Sequence, residues 1–158
     1  MKDSRLASIL IGQLVKHEGI RDDVYVDSTG HRTIGVGHNL DSSGLCYEAI
    51  VAQLVHDIEA AELQLEALFA GPYNRYDYIP SALVYNAFPS AVKLAFLDLI
   101  FNIGPHKFAG FKKMIAAARV GDWPQVLAEL LDSKWATQVQ SARVDQLCKL
   151  IKSVYKEV

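Results

Sequence analysis

Between residues 46 and 69 the chain runs for 24 residues (CYEAIVAQLVHDIEAAELQLEALF) without a glycine or a proline. Ile50, Leu54, Ile58, Leu65 and Leu68 recur there at helical spacings, which predicts a single helix about twice the mean globular length. In a chain of 158 residues such a helix must divide the N-terminal third from the C-terminal half. The stretch carries Glu48, Asp57, Glu59, Glu62 and Glu66 and no Lys or Arg, a charge of −5 that leaves the remainder at +3. A long acidic face of this kind is read as a solvated face.

Before it, Leu6, Leu10 and Leu14 with Ile9 and Ile11 predict an amphipathic helix from about Ser4 to His17. Ser4 suits its N-terminus and Gly19 the left-handed position after its end. In VYVDSTGHRTIGVGH (24–38), Val24 and Val26 alternate with Tyr25 and Asp27, Ser28-Thr29-Gly30 forms a turn, and Arg32-Thr33-Ile34 resumes extended chain. That is a small β-hairpin, whose continuation Gly35 and Gly37 weaken. After the long helix, GPYNRYDYIP (71–80) breaks the pattern, and helices are predicted over 89–102, 107–119, 122–132 and 140–156. Pro89 and Pro124 fall near helix starts, where a missing N–H costs little. The order is α+β and mainly α, with two or three strands near the N-terminus. A small hairpin lobe (18–56) and a larger helical lobe (1–17 and 57–158) form one domain over 1–158, and a long joining helix implies a cleft.

At 51% hydrophobic residues the chain can bury a core. A net charge of −2 and a pI near 6.2 exclude nucleic-acid binding driven by bulk positive charge. No run of 18 apolar residues occurs, so no membrane insertion is expected. Lys2 and Arg5 before LASILIGQLV imitate a leader, but Asp3, Gly12 and Gln13 interrupt it and no small-x-small site comes after it. Synthesis in a cytoplasm without a signal peptide is the expectation. Cys46 and Cys148 are too few for a disulfide framework and are expected to be reduced and mostly buried. No cofactor or metal is expected. Asp22, Asp23 and Asp27 lack the rest of a calcium loop, and the five histidines form no H-x-x-x-H pair. Gly35-Val36-Gly37 lacks the third glycine of a dinucleotide fingerprint.

The polar residues concentrate between His17 and His38. Glu18 ends the first helix, where the negative end of the helix dipole disfavours its charged form, as a general acid requires. Asp27, nine residues on, sits at the hairpin turn and is expected to stay ionised. Two carboxyls in different environments can divide acid and base roles. The Thr33 hydroxyl can hold a water beside Asp27.

HEGIRDDVYVDSTGHRTIGVGHNL (17–40) resembles the active-site region of the phage-type lysozymes and endolysins, glycoside hydrolase family 24. The ordered pattern is Glu18-Gly19, Tyr25, Asp27, Thr33-Ile34-Gly35 and Gly37-His38. A second stretch, FNIGPHKFAGFKKMIAAARVGDW (101–123), and Trp135 resemble the family's C-terminal half. The resemblance implies a lysozyme-like fold and a muramidase that hydrolyses the β-1,4 bond between N-acetylmuramic acid and N-acetylglucosamine in bacterial peptidoglycan. Glu18 would be the acid, Asp27 would activate or orient water, and Thr33 would be its partner. Inversion of the anomeric centre, as in the T-even members, needs carboxyls ~6.5–9.5 Å apart.

Asn102, Arg143 and Tyr25 are expected to contact substrate, and His38 and Asp57 to form a structural ion pair. Only 18 residues separate His38 from Asp57, so the hairpin lobe should lack an extra helix found in the T-even members. A monomer is implied, acting on the periplasmic wall with a holin's help or delivered by the virion. An inactive glycan-binding component of a phage particle is the rival reading, and an enzyme of chitin the third.

Overall fold

A computed structural model of the chain describes residues 4–70 and 85–155. The expected break at 71–80 and the expected capping side chain of Ser4 lie outside the described residues. The elements are α1 (Ser4–Glu18), β1 (Arg21–Val26), β2 (Arg32–Gly35), β3 (His38–Asn39), α2 (Tyr47–Ala70), α3 (Ser90–Ile103), α4 (Pro105–Phe108), α5 (Lys112–Arg119), α6 (Trp123–Leu131), α7 (Lys134–Gln138) and α8 (Ser141–Lys152). The architecture is α+β and mostly helical, with its one small sheet near the N-terminus, as the sequence predicted. The chain divides into two compact units, Met1–Gln53 and Leu54–Val158, with the boundary inside α2.

In the first unit α1 stops where the sequence puts its stop. Gly19 takes φ +74° and its N–H donates to Val15 O at 3.0 Å, a conformation that glycine adopts without a Cβ penalty. The strands then run in the order β1-β2-β3, all antiparallel. Tyr25 lies opposite Thr33 and Val26 opposite Arg32, with a bulge between Arg21 and Tyr25. The expectation that Gly35 and Gly37 only weaken the sheet is corrected. At φ +67° and +72° they turn the chain back, so that Ile34 pairs with His38 and Thr33 with Asn39. No helix intervenes between β3 and α2, as the short spacing predicted.

The second unit is held by apolar burial. Leu65 and Phe69 of α2, Val92, Phe96 and Leu99 of α3, Val126 and Leu130 of α6, and Leu147 and Ile151 of α8 are nearly inaccessible to solvent. Phe69 stacks on Phe96 at 5.6 Å between centroids and meets Phe88 edge-on at 4.9 Å. Burying each such side chain contributes about 1.5–3 kcal/mol. Asp122 caps α6 by accepting from Gln125 N at 3.1 Å, and Pro124 sits in its first turn.

The predicted helix over 107–119 is instead two helices. At Gly110 the N–H donates to Lys107 O at 3.0 Å, and an added Cβ would also stand 3.0 Å from that oxygen. α7 was not predicted; Ser133 starts it by accepting from Ala136 N at 3.2 Å. α8 ends at Lys152, short of 156. The cysteines are free thiols, but Cys46 is exposed rather than buried. Cys148 is half-buried, and that burial pushes its thiol up.

Candidate active site

The hairpin turn is built around the Asp27 carboxylate. Its Oδ1 accepts from Thr29 N at 2.8 Å, Thr29 Oγ1 at 2.7 Å and His31 N at 3.0 Å. A side chain that binds the backbone two residues on is an Asx turn, the local preference of Asp before a tight reversal. The backbone adds Asp27 N to His31 O at 2.9 Å and Gly30 N to Asp27 O at 3.0 Å. These donors favour the charged carboxylate. The His31 N–H first, then the Thr29 hydroxyl, bring the Asp27 pKa down to about 2. Asp27 is therefore ionised near neutral pH, as the sequence predicted.

The two carboxylate oxygens differ. Oδ1 holds the turn, whereas Oδ2 receives, among the described residues, the Thr33 hydroxyl alone, at 3.3 Å. Thr33 is 2% exposed, the one polar residue in the buried class among the described residues. Its single proton is shared between Asp27 Oδ2 and His31 O, the latter at 3.2 Å. The lone pairs of its oxygen remain able to accept from a water. Asp27 and Thr33 are thus brought together as expected.

Glu18 is the last residue of α1 and is exposed. Its carboxyl lies over the turn between β2 and β3: a Cβ added at Gly37 would stand 3.9 Å from Glu18 Oε2. The Gly35-x-Gly37 segment therefore does two things. It folds β3 onto β2 and presents bare backbone beside the acid. Tyr25 carries the Arg21 guanidinium 4.5 Å from its ring centroid, and Arg21 in turn pairs with Asp23 at 3.0 Å. Arg32 is clamped by Asp41, which accepts from its backbone N–H at 2.7 Å and from its Nε at 2.8 Å. These donors hold the Asp41 carboxyl below the usual carboxylate range.

The remaining candidates each have their own partners. The His38 Nε2–H donates to Gly44 O at 3.3 Å and pins the loop after β3. Asp57, on α2, lies 3.9 Å from His56 Nδ1. Asn102 Oδ1 accepts from the Trp135 indole N–H at 2.8 Å, which leaves its NH₂ free to serve as a donor. Arg143 is bound to Asp98, its Nε donating to Oδ1 at 2.6 Å and its Nη2 to the backbone carbonyl at 3.2 Å. That contact ties α8 to α3.

Sequence reasoning missed two parts of this arrangement. The sequence reading places Thr29 only in the Ser28-Thr29-Gly30 turn and His31 only among the histidines without a metal pair, although the D-x-T spacing is an available Asx-turn signal. Within the helical unit, Ile103, Phe111 and Trp135 line an open pocket of about 780 Å³ together with Lys107, Lys112, Lys113, Lys134, Glu129 and Asp132. Among the described residues no three His, Cys, Asp or Glu gather as a metal site. No described helix is long and apolar enough to cross a membrane.

The chain is 26% identical over 149 residues to a protein of Dictyostelium discoideum named probable T4-type lysozyme 2, covering 84% of this chain and 88% of that one. The family model described as phage lysozyme matches residues 15–150, which takes in Glu18, Asp27, Thr33, Asn102 and Arg143. A match across so much of the sequence establishes a lysozyme-type glycoside hydrolase: the chain belongs to the phage lysozyme family.

Proposed function

We propose that this protein is a muramidase that cleaves the β-1,4 bond between N-acetylmuramic acid and N-acetylglucosamine in bacterial peptidoglycan, with inversion. The observation that carries the reading is the unequal use of the Asp27 oxygens. With Oδ1 saturated by three donors and Oδ2 facing, among the described residues, Thr33 alone, the carboxylate is fixed in place with one oxygen open to a reactant. A water held between Thr33 Oγ1 and Asp27 Oδ2 attacks the anomeric carbon as Glu18 gives its proton to the leaving oxygen. Because Asp27 is a weak base at a pKa of about 2, it orients the water and stabilises developing positive charge. It takes the water's proton only late in the step.

The Asn102 NH₂ donates to a sugar carbonyl, and Tyr25 and Arg143 add further contacts. The lysines around Trp135 meet the anionic wall locally, in place of net positive charge. The protein acts as a phage endolysin for host-cell lysis. It is a monomer made in the host cytoplasm and reaches the periplasmic wall with a holin's help.

The test is the clearing rate of purified peptidoglycan, with chitin oligomers alongside and NMR of the newly formed anomeric centre. Release of the inverted anomer from peptidoglycan alone is expected. Binding without clearance would turn the reading to a glycan-gripping component of a phage particle.

A further inference from the structure

Asp27 is joined to a titratable ring by a single hydroxyl. Thr29 Oγ1 lies 2.7 Å from Asp27 Oδ1 and 2.9 Å from His31 Nδ1, and His31 Nδ1 lies 4.0 Å from that same Oδ1. A threonine hydroxyl has one proton. When Nδ1 carries a hydrogen, that hydrogen must point to Thr29 Oγ1, and the Thr29 proton then goes wholly to Asp27. When Nδ1 is bare, it competes with Asp27 for the Thr29 proton. The backbone N–H of His31 also donates to Oδ1 at 3.0 Å, and Thr33 Oγ1 touches the His31 carbonyl at 3.2 Å. The ring, the turn and the proposed water-holding hydroxyl are therefore one connected set.

We propose that His31 is a positioning residue for Asp27, acting through the Thr29 hydroxyl to set how much of the carboxylate's charge is left on Oδ2. This deepens the muramidase reading and rests on it for the effect on rate. Charge drawn to Oδ1 by an imidazolium and a fully committed Thr29 proton weakens the pull of Oδ2 on the water. Neutral His31 releases it. Imidazole is the side chain that ordinarily changes charge between pH 5 and 8, whereas Asp27 itself titrates near 2. Any acidic limb of activity that this relay creates must therefore disappear when the His31 ring or the Thr29 hydroxyl is replaced. The charged groups facing the ring are Asp27 across the turn and Asp41 beyond β3. Arg32 is held against Asp41 at 2.7 Å, so the ring's principal open partner is Asp27. Unit charges 4 Å apart in a watery setting interact by an amount that changes a rate about fivefold.

The experiment uses the full chain in two measurements. The first tracks the Asp27 side-chain carboxyl carbon by NMR between pH 4.5 and 8. In wild type its shift should step with the His31 titration, and the step should vanish in His31→Asn and Thr29→Val. The second compares kcat and KM for peptidoglycan clearance over the same range. Wild type should lose about fivefold in kcat as His31 protonates, with KM steady. His31→Asn places an uncharged amide near the Nδ1 position and should flatten that limb. His31→Phe should flatten it and also lower the plateau. A carboxyl signal blind to His31, or an acidic limb unchanged in His31→Asn, overturns the inference whatever the activity. A coupled carboxyl signal in a protein that clears no peptidoglycan supports the relay and refutes the muramidase reading instead.

Discussion

The hairpin unit and the helical unit are held together by different physics. Among the described residues of the first, only Thr33 is buried, and carboxylates and amides fix the turns. Asp27 gathers Thr29, His31 and Thr33; Asp41 holds Arg32; Asn39 Oδ1 accepts from Asp41 N at 2.9 Å and Ser42 N at 3.0 Å. In the second, interdigitated Phe, Leu, Ile and Val side chains form one continuous core. A reacting carboxylate needs water and fixed donors, which an apolar core cannot provide. A helical framework needs non-directional burial, which a short hairpin cannot provide. Chemistry and stability are therefore separable here by substitution.

The largest effects should fall on activity alone. Glu18→Gln keeps the shape of the side chain but has no proton to transfer. Peptidoglycan clearance should fall by ~10²–10⁴-fold while thermal unfolding of the helical unit stays unchanged. Asp27→Asn should be comparably impaired, and Asp22→Asn and Asp23→Asn nearly silent. Near wild-type clearance by folded Glu18→Gln would break the assignment. The converse substitution is Phe96→Ala, which opens a cavity under Phe69 and Phe88. It should cost about 3–5 kcal/mol in chemical denaturation, with kcat retained wherever the protein is folded.

Acid should separate the units next. A depressed folded pKa means that stability is present above the unfolded value and is lost as pH falls through the folded one. For Asp27 that window runs from ~4 in the unfolded chain to about 2 in the fold, and Asp41 shifts in the same direction. Amide exchange at Thr29, His31 and Arg32, compared with the two-state expectation at each pH, should accelerate across this window. The amides of α3 and α6 should remain protected. Uniform loss of protection in both units would erase the distinction. The smallest effect is expected at Asn102. Asn102→Ala should weaken glycan binding by about 1–2 kcal/mol, read by calorimetry, with turnover at saturation nearly intact.

Legibility in the sequence divides along the same line. The hairpin could be read because its partners lie close in sequence. Asp27 reaches Thr33 across six positions and Arg32 reaches Asp41 across nine, so turn chemistry and alternation carry the signal. Even there, glycines read as strand breakers proved to be the turn that admits β3. The two-sided use of the Thr29 hydroxyl left no trace in composition. In the helical unit the periodic segments announced α3 and α6, but the break at Gly110 depends on a carbonyl 3.0 Å away, not on any cluster of turn residues. The tie between Asp98 and Arg143 spans 45 positions. No local pattern marks it, and so the family position of Arg143 suggested a substrate contact alone.

The bond from the Trp135 indole to Asn102 equips the proposed sugar subsite with its own optical probe. The chain has two tryptophans, and Trp123 meets the ring of Phe88 edge-on at 5.4 Å. Replacing Trp123 by Phe leaves one fluorophore, whose excited-state dipole is tethered to the amide under study. A glycan that engages Asn102 reorients that tether and shifts the emission maximum, so occupancy can be monitored in real time without a label or a turnover event.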